Sequence, residues 1–283
     1  MRLVCIDDGV PAEGPELLHS ACDAREIEFL PLDPRTFCFE DEDRLGPGDL
    51  LFRPAISWIS QRVEQFLYSP GTATFYPTDE DIYFEVVDPV LVHQRCGLPV
   101  PRSIPCHTAD RGALRSYVER LGGLPVVVKV SGMSRGVGVM LARDWASVFG
   151  LIDYLSSQNV APHLMAFVDD AVHWRVVVVG GSAIAAYRNP LEHDDFRTYA
   201  SEVPDDYSAD VPDEMADIAV RSVAAIRREF GGVDLLEHPS GRIYLLEANF
   251  PCYFAQAQLS GGIDVAGRMV DHLAAKAHRP SQI

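Results

Sequence analysis

The chain has 283 residues, 47% hydrophobic and 23% charged, which supplies a sizeable core and argues against disorder. Acidic residues number 41 against 24 basic ones, a net charge of −17 that argues against a nucleic-acid partner or an anionic membrane surface. The six cysteines form no CxxC pair, and no signal-like or membrane-length apolar run is seen, so a cytoplasmic protein with reduced thiols is expected.

The first third reads as a small parallel α/β unit, with strands expected at residues 3–6, 27–32 and 50–52 and helices at 15–24 and 58–68. Arg53 ends the third strand, at the edge where an open parallel sheet presents ligands; it is either a substrate-carboxylate contact or a surface arginine. Residues 71–81 read as a linker. Asp88-Pro89 starts a helix that Gly97 stops, because aspartate caps a first turn and proline is tolerated within it. Residues 98–101 form an extended link. A helix at 112–121 leads to the strand Val126-Val127-Val128-Lys129-Val130, then a glycine-rich stretch, a strand at 139–142 and a helix at 145–156. Strands follow at 163–168 and 174–179, and Gly180-Gly181 turns the chain into another at 183–187. Residues 189–210 are polar and irregular; Glu192-His193-Asp194-Asp195 within them reads as a solvated acidic loop rather than a metal site. An amphipathic helix is expected over 215–230 with Gly231-Gly232 as its stop, then strands at 233–236 and 243–247 around a turn at Pro239-Ser240-Gly241, and a last helix at 265–277.

Three constellations carry chemistry. Lysine occurs only at positions 129 and 276. A lysine inside an apolar strand either faces solvent at an edge or meets an anion. The stretch Gly132-Met133-Ser134-Arg135-Gly136-Val137-Gly138 favours the second reading, since a glycine-rich turn between strands closes backbone N–H groups over phosphates. The same stretch matches G-x-S-x-G, and a triad of Ser134, Asp234 and His238 or His272 can be written down. The nucleophile elbow, however, needs a helix after the turn, and a strand is expected here. Finally, Glu247 and Asn249 are two apart on one strand and so share a face, with Asp234 on the strand before. Two carboxylates and an amide oxygen are hard ligands suited to magnesium beside phosphates, although polar outer faces of two adjacent strands would look the same.

The order of these motifs resembles the ATP-grasp superfamily, specifically the RimK-like amino-acid (carboxylate–amine) ligase type, over roughly residues 85–275. The resemblance implies a mixed α/β (α+β) ATP-grasp fold. Its lobes would be an N-terminal parallel α/β domain over 1–84, a small central subdomain over 85–162 and a C-terminal antiparallel-sheet subdomain over 163–283. It implies ATP and Mg2+, with Mn2+ as an alternative ion. Lys129, Ser134, Arg135 and Gly136 would contact the phosphates. Met165, Ala166, Phe167 and Val168 would form the adenine hinge, with Asp170 near the ribose. Arg175, Arg188 and Arg197 would be catalytic or substrate-side cations, and Asp234, Glu247 and Asn249 the metal ligands. Pro89 stands where the family commonly has lysine, and Met165 and Ala166 where it often has an acid or glutamine. The implied reaction joins a small amino-acid-like or peptide carboxylate to an amine through an acyl phosphate, releasing ADP and phosphate. The alternative is an ATP-binding module without turnover. Small-molecule partners are expected, and the chain could form a homo-oligomer.

Overall fold

The computed structural model describes residues 1–40, 44–130, 136–191 and 195–278. The chain opens with β1 (Arg2–Ile6), α1 (Glu13–Asp23), β2 (Glu28–Leu32), β3 (Leu50–Phe52) and α2 (Trp58–Leu67). The strands form a three-stranded parallel sheet in the order β2-β1-β3. Ser57 caps α2 through its hydroxyl, which accepts from the Ser60 N–H at 3.2 Å.

The expected linker at 71–81 is largely core. Ala73 bridges to Leu50, and Phe75 is 1% exposed. Its ring lies 5.3 Å from that of Phe52 and 5.1 Å from that of Phe230, so it joins the parallel sheet to the rest of the molecule. Proline, glycine and acids drew attention there; the apolar residues between them decide the packing.

The middle section contains α3 (Pro89–Arg95), β4 (Ser103–Pro105), α4 (Arg111–Leu121), β5 (Val126–Lys129), β6 (Val139–Ala142), α5 (Trp145–Ser157) and β7 (His163–Ala166). Asp88 caps α3 through a bond from the Leu91 N–H at 3.1 Å, with Pro89 at the first helical position, as the sequence implies. The strands form a four-stranded antiparallel sheet in the order β4-β7-β5-β6. Strand β7, where the third lobe is expected to open, belongs to this sheet. Val126, Val128 and Leu164 point to one face and pack against Leu114, Val118, Val148 and Ile152 of α4 and α5. The opposite face is left for Val127, Lys129, His163 and Met165.

The last section holds β8 (Val172–Val179), β9 (Ser182–Asn189), β10 (Tyr207–Ser208), α6 (Asp213–Ala225), β11 (Phe230–Glu237), β12 (Ile243–Asn249), α7 (Ala255–Leu259) and α8 (Val265–Ala277). Its five-stranded antiparallel sheet runs β10-β9-β8-β11-β12. One face packs on α6 through Val176, Val178, Ala186, Val233 and Leu245. The other packs on the N-terminal lobe and α8 through Val177, Val179, Ala185, Tyr187 and Phe230.

The helix expected over 215–230 is shorter. It is capped at Ile226, Arg227 turns the chain at φ 58°, and Phe230 already belongs to β11. Gly231 and Gly232 are strand residues. A Cβ on Gly231 would meet Val223 Cγ2 at 3.0 Å and the Asn249 carbonyl oxygen at 3.1 Å. One on Gly232 would collide with the Arg175 guanidinium and Cys252. These glycines permit close approach rather than stopping a helix.

Candidate active site

The two antiparallel sheets meet face to face at the ends of their polar sides. On β5 and β7, Lys129 lies opposite His163 and Val127 opposite Met165, so all four project from the face that α4 and α5 leave uncovered. On the five-stranded sheet, Asp234 of β11 lies opposite Arg175 of β8 and opposite Glu247 of β12. The sheets are tied by the Lys129 ammonium, which donates to Glu247 Oε2 at 2.5 Å.

The carboxylates share one amide. Asn249 Nδ2 donates to Glu247 Oε1 at 2.9 Å and to Asp234 Oδ2 at 3.4 Å. Arg175 Nε lies 2.8 Å from Asp234 Oδ1, and His173 Nε2 lies 3.2 Å from the same oxygen. The other ring nitrogen of His173 is bonded to the Thr198 hydroxyl. Burial by itself raises the Asp234 pKa. The charges of Arg175, His173 and Lys129 outweigh it and hold the carboxyl down to about 2. Burial likewise lowers Arg175, but Asp234 prevails and keeps the guanidinium charged. Cys252 beside them is pushed up to about 12, chiefly by burial, so its thiol stays protonated and inert.

Two buried polar atoms here, His163 Nδ1 and Asn189 Oδ1, have no hydrogen-bond partner among the described residues, whereas His173 Nε2 and Arg175 Nε both face Asp234 Oδ1. Native proteins leave such atoms mainly where a ligand or water meets them. The donor set also suits magnesium: Asp234 and Glu247 offer hard oxygens, and Asn249 spans them where a cation would lie. The Asn249 amide has only to turn its Oδ1 inward to complete the set.

The other expected site residues fall as follows. Ser134 and Arg135 lie outside the described residues. Gly136 adopts φ 71°, and its carbonyl accepts from Arg197 Nη1 at 3.3 Å. The strand expected after the glycines is present as β6, antiparallel to β5, so the hydrolase elbow is absent. Its triad is not assembled either, since His272 contacts Glu229 and His238 contacts Ser240. Met165 is buried on the cleft face. The β5–β7 ladder ends at Ala166, so Phe167 and Val168 lie beyond the strand expected to contain them. Asp170 is exposed in a turn at φ 52°.

Arg188 is not brought to the cluster. It lies opposite Trp174 on the α6 face of the sheet, with its guanidinium 5.0 Å from the centre of the Trp174 ring. Arg53 is 4% exposed and ion-paired to Glu64 at 2.8 Å, which excludes both readings of it as a free cation. His163 and Asn189 are site-face residues that carry no signal in the sequence, and His173, which reads there as a strand residue near the nucleotide rather than a base, contacts Asp234. Strand alternation counted from Arg175 marks His173 as a residue of the site face, but a register shift between Val177 and Val178 brings Asn189 there in place of Arg188, which simple alternation through the turn would select.

A family model described as the RimK-like ATP-grasp domain matches residues 90–273. A probable α-L-glutamate ligase of Rhodopirellula baltica is 26% identical over 193 residues, covering 68% of this chain and 46% of that protein. The ribosomal protein bS6–L-glutamate ligase of Escherichia coli is 25% identical over 178 residues, covering 62% of this chain and 58% of that one. The chain thus spans about half the length of the curated relatives it matches. In overall fold it is similar to the ATP-grasp ligase PsnB, solved with a minimal precursor, Mg and ADP, at a TM-score of 0.72 and 18% identity over 98% of each chain. With a family model covering well over half of its length, the chain belongs to the RimK-like ATP-grasp family.

Proposed function

We propose that this chain is an ATP-dependent ligase that joins a carboxylate to an amine and releases ADP and phosphate. The observation that carries the reading is the Lys129–Glu247 contact, which brings the lysine that precedes the glycine-rich stretch against Asp234, Glu247 and Asn249. A carboxylate is a poor electrophile at neutral pH, and transfer of the terminal phosphoryl group of ATP makes it one. Asp234, Glu247 and Asn249 would hold Mg2+, which offsets phosphate charge when bound. Lys129 exchanges Glu247 for phosphate oxygens as the nucleotide enters. Arg175, charged and fixed by Asp234, stabilises negative charge on the acyl group during phosphoryl transfer and amine attack. Val127 and Met165 provide an apolar wall for the purine, and the free main chain at Phe167 and Val168 reads its edge. Ser134 and Arg135 are assigned to the phosphates by their place in the glycine-rich stretch.

The acid or the amine is amino-acid-like or carried on a peptide. Two observations support that class: the relatives' names as glutamate ligases and the precursor bound to PsnB. The test is a phosphate-release screen of the proteinogenic amino acids and short peptides, with ATP and Mg2+. Release that needs acid and amine together supports the ligase. Tight nucleotide binding with no release across the panel favours a binding module, with Pro89 as the first position to change to lysine.

A further inference from the structure

Asn189 ends β9 directly opposite His173, two residues beyond the Tyr187–Arg175 pair. Strand alternation puts its side chain on the face that carries Arg175 and Asp234. The residue is 9% exposed, and its Oδ1 is buried without a hydrogen-bond partner. A buried amide oxygen with no protein partner is costly unless a ligand or water meets it, and this one lies on the face of the proposed site.

The surrounding charges decide which ligand. Arg175 and Lys129 suit anions, and each already faces a carboxylate. An oxygen acceptor on the face that carries Arg175 repels the phosphate or carboxylate that the cations attract, and it asks for a donor. Among the reactants of the proposed ligation, the amine is the one that brings N–H groups to the reacting end.

We propose that Asn189 binds the attacking amine, accepting an N–H at Oδ1 and thereby turning the nitrogen lone pair toward the acyl group held by Arg175. Asn189 is then a substrate-binding residue at the end of β9, and the class of its ligand is an amine with at least one hydrogen to donate. The assignment rests on the ligase reading above.

Hydroxylamine serves as the amine probe, because it is small and nucleophilic enough to discharge an activated acid. Phosphate release is followed with ATP, Mg2+ and an acid that the wild type uses, varying hydroxylamine. Asn189→Leu removes the acceptor at similar size, and Asn189→Asp keeps it. The leucine variant should raise the KM for hydroxylamine by about tenfold or more, the scale of one lost hydrogen bond to a charged or polarised group, and leave the KM for ATP unchanged. The aspartate variant should stay near the wild type. The Tm of Asn189→Leu should equal or exceed the wild-type value, since a buried polar atom without a protein partner has been removed. An unchanged hydroxylamine KM in Asn189→Leu overturns the proposal. So does a loss in Asn189→Asp as large as in Asn189→Leu, or a fall in Tm with both KM values rising together. Absence of phosphate release from the wild type with every acid would instead defeat the ligase reading beneath it.

Discussion

At the residue scale, the account turns on Lys129 and its carboxylate partner. Lys129 contacts Glu247 in a setting only partly open to water, so the pair is readily exchanged for phosphate and metal. Lys129→Ala should weaken ADP or ATP binding by about 10- to 100-fold in calorimetry, the value of a charge-assisted contact at about 1.5–3 kcal/mol. Glu247→Gln keeps the shape and removes the charge. Its Mg2+-dependent turnover should fall by about 100-fold or more, as when a metal site loses a group that holds it, with little change in Tm. Equal activity of that variant across a Mg2+ titration would remove Glu247 from the site. The grouping of Lys129 with Asp234 and Glu247 was legible in the sequence because a charged residue inside an apolar strand demands a partner, and that of Asn249 because it stands two residues from Glu247 on the same strand. Arg53 was not, because nothing in the chain order announces that Glu64 and Tyr76 close around it.

At the element scale, the parity of β8 and β9 separates two arginines that look equivalent in sequence. Arg175 shares a face with Asp234, whereas Arg188 lies over Trp174 on the other side. Arg188→Gln should therefore leave turnover within about twofold and cost stability only on the scale of one exposed cation–π contact, about 0.5–1 kcal/mol. Arg175→Gln should abolish turnover, since it also strands Asp234 as a buried charge. Similar losses in the two variants would contradict the register. Gly232 tests the same geometry from the neighbouring strand: Gly232→Ala drives a methyl against the Arg175 guanidinium and should lower both Tm and activity. Most strands were read to within three residues at either end, because apolar runs bounded by glycine and proline mark them, whereas the short edge strands β4 and β10 were not anticipated. The end of α6 was misread because glycine in a sequence signals a helix stop and a close strand contact alike.

At the scale of the whole molecule, the parallel lobe is docked by side chains from the far end of the chain. Lys276 of α8 donates to the carbonyls of Thr74 and Tyr76 and to Glu229 Oε2 at 2.6 Å, and His272 stacks on Phe75. Burial raises the Glu229 pKa, but His272 and Lys276 prevail and hold it below the usual carboxylate range. A depressed carboxylate contributes stability that is complete above its unfolded pKa and is lost as pH falls through the native value. Lys276→Met should cost about 2 kcal/mol at neutral pH, roughly 5 °C in Tm, and should lessen the loss of stability on acidification. An unchanged Tm would show that the clamp is incidental. None of this docking was legible in sequence, because Glu229, His272 and Lys276 meet Thr74–Tyr76 only after the lobes fold together. The claim that unites these contacts is that the cleft between the two antiparallel sheets activates an acid with ATP. The most direct measurement supplies the acid labelled with oxygen-18 in its carboxyl group, together with ATP, Mg2+ and the amine, and analyses the released phosphate by mass spectrometry. The account predicts ADP and phosphate carrying one label from the acid. Unlabelled phosphate, or AMP with pyrophosphate, would contradict it.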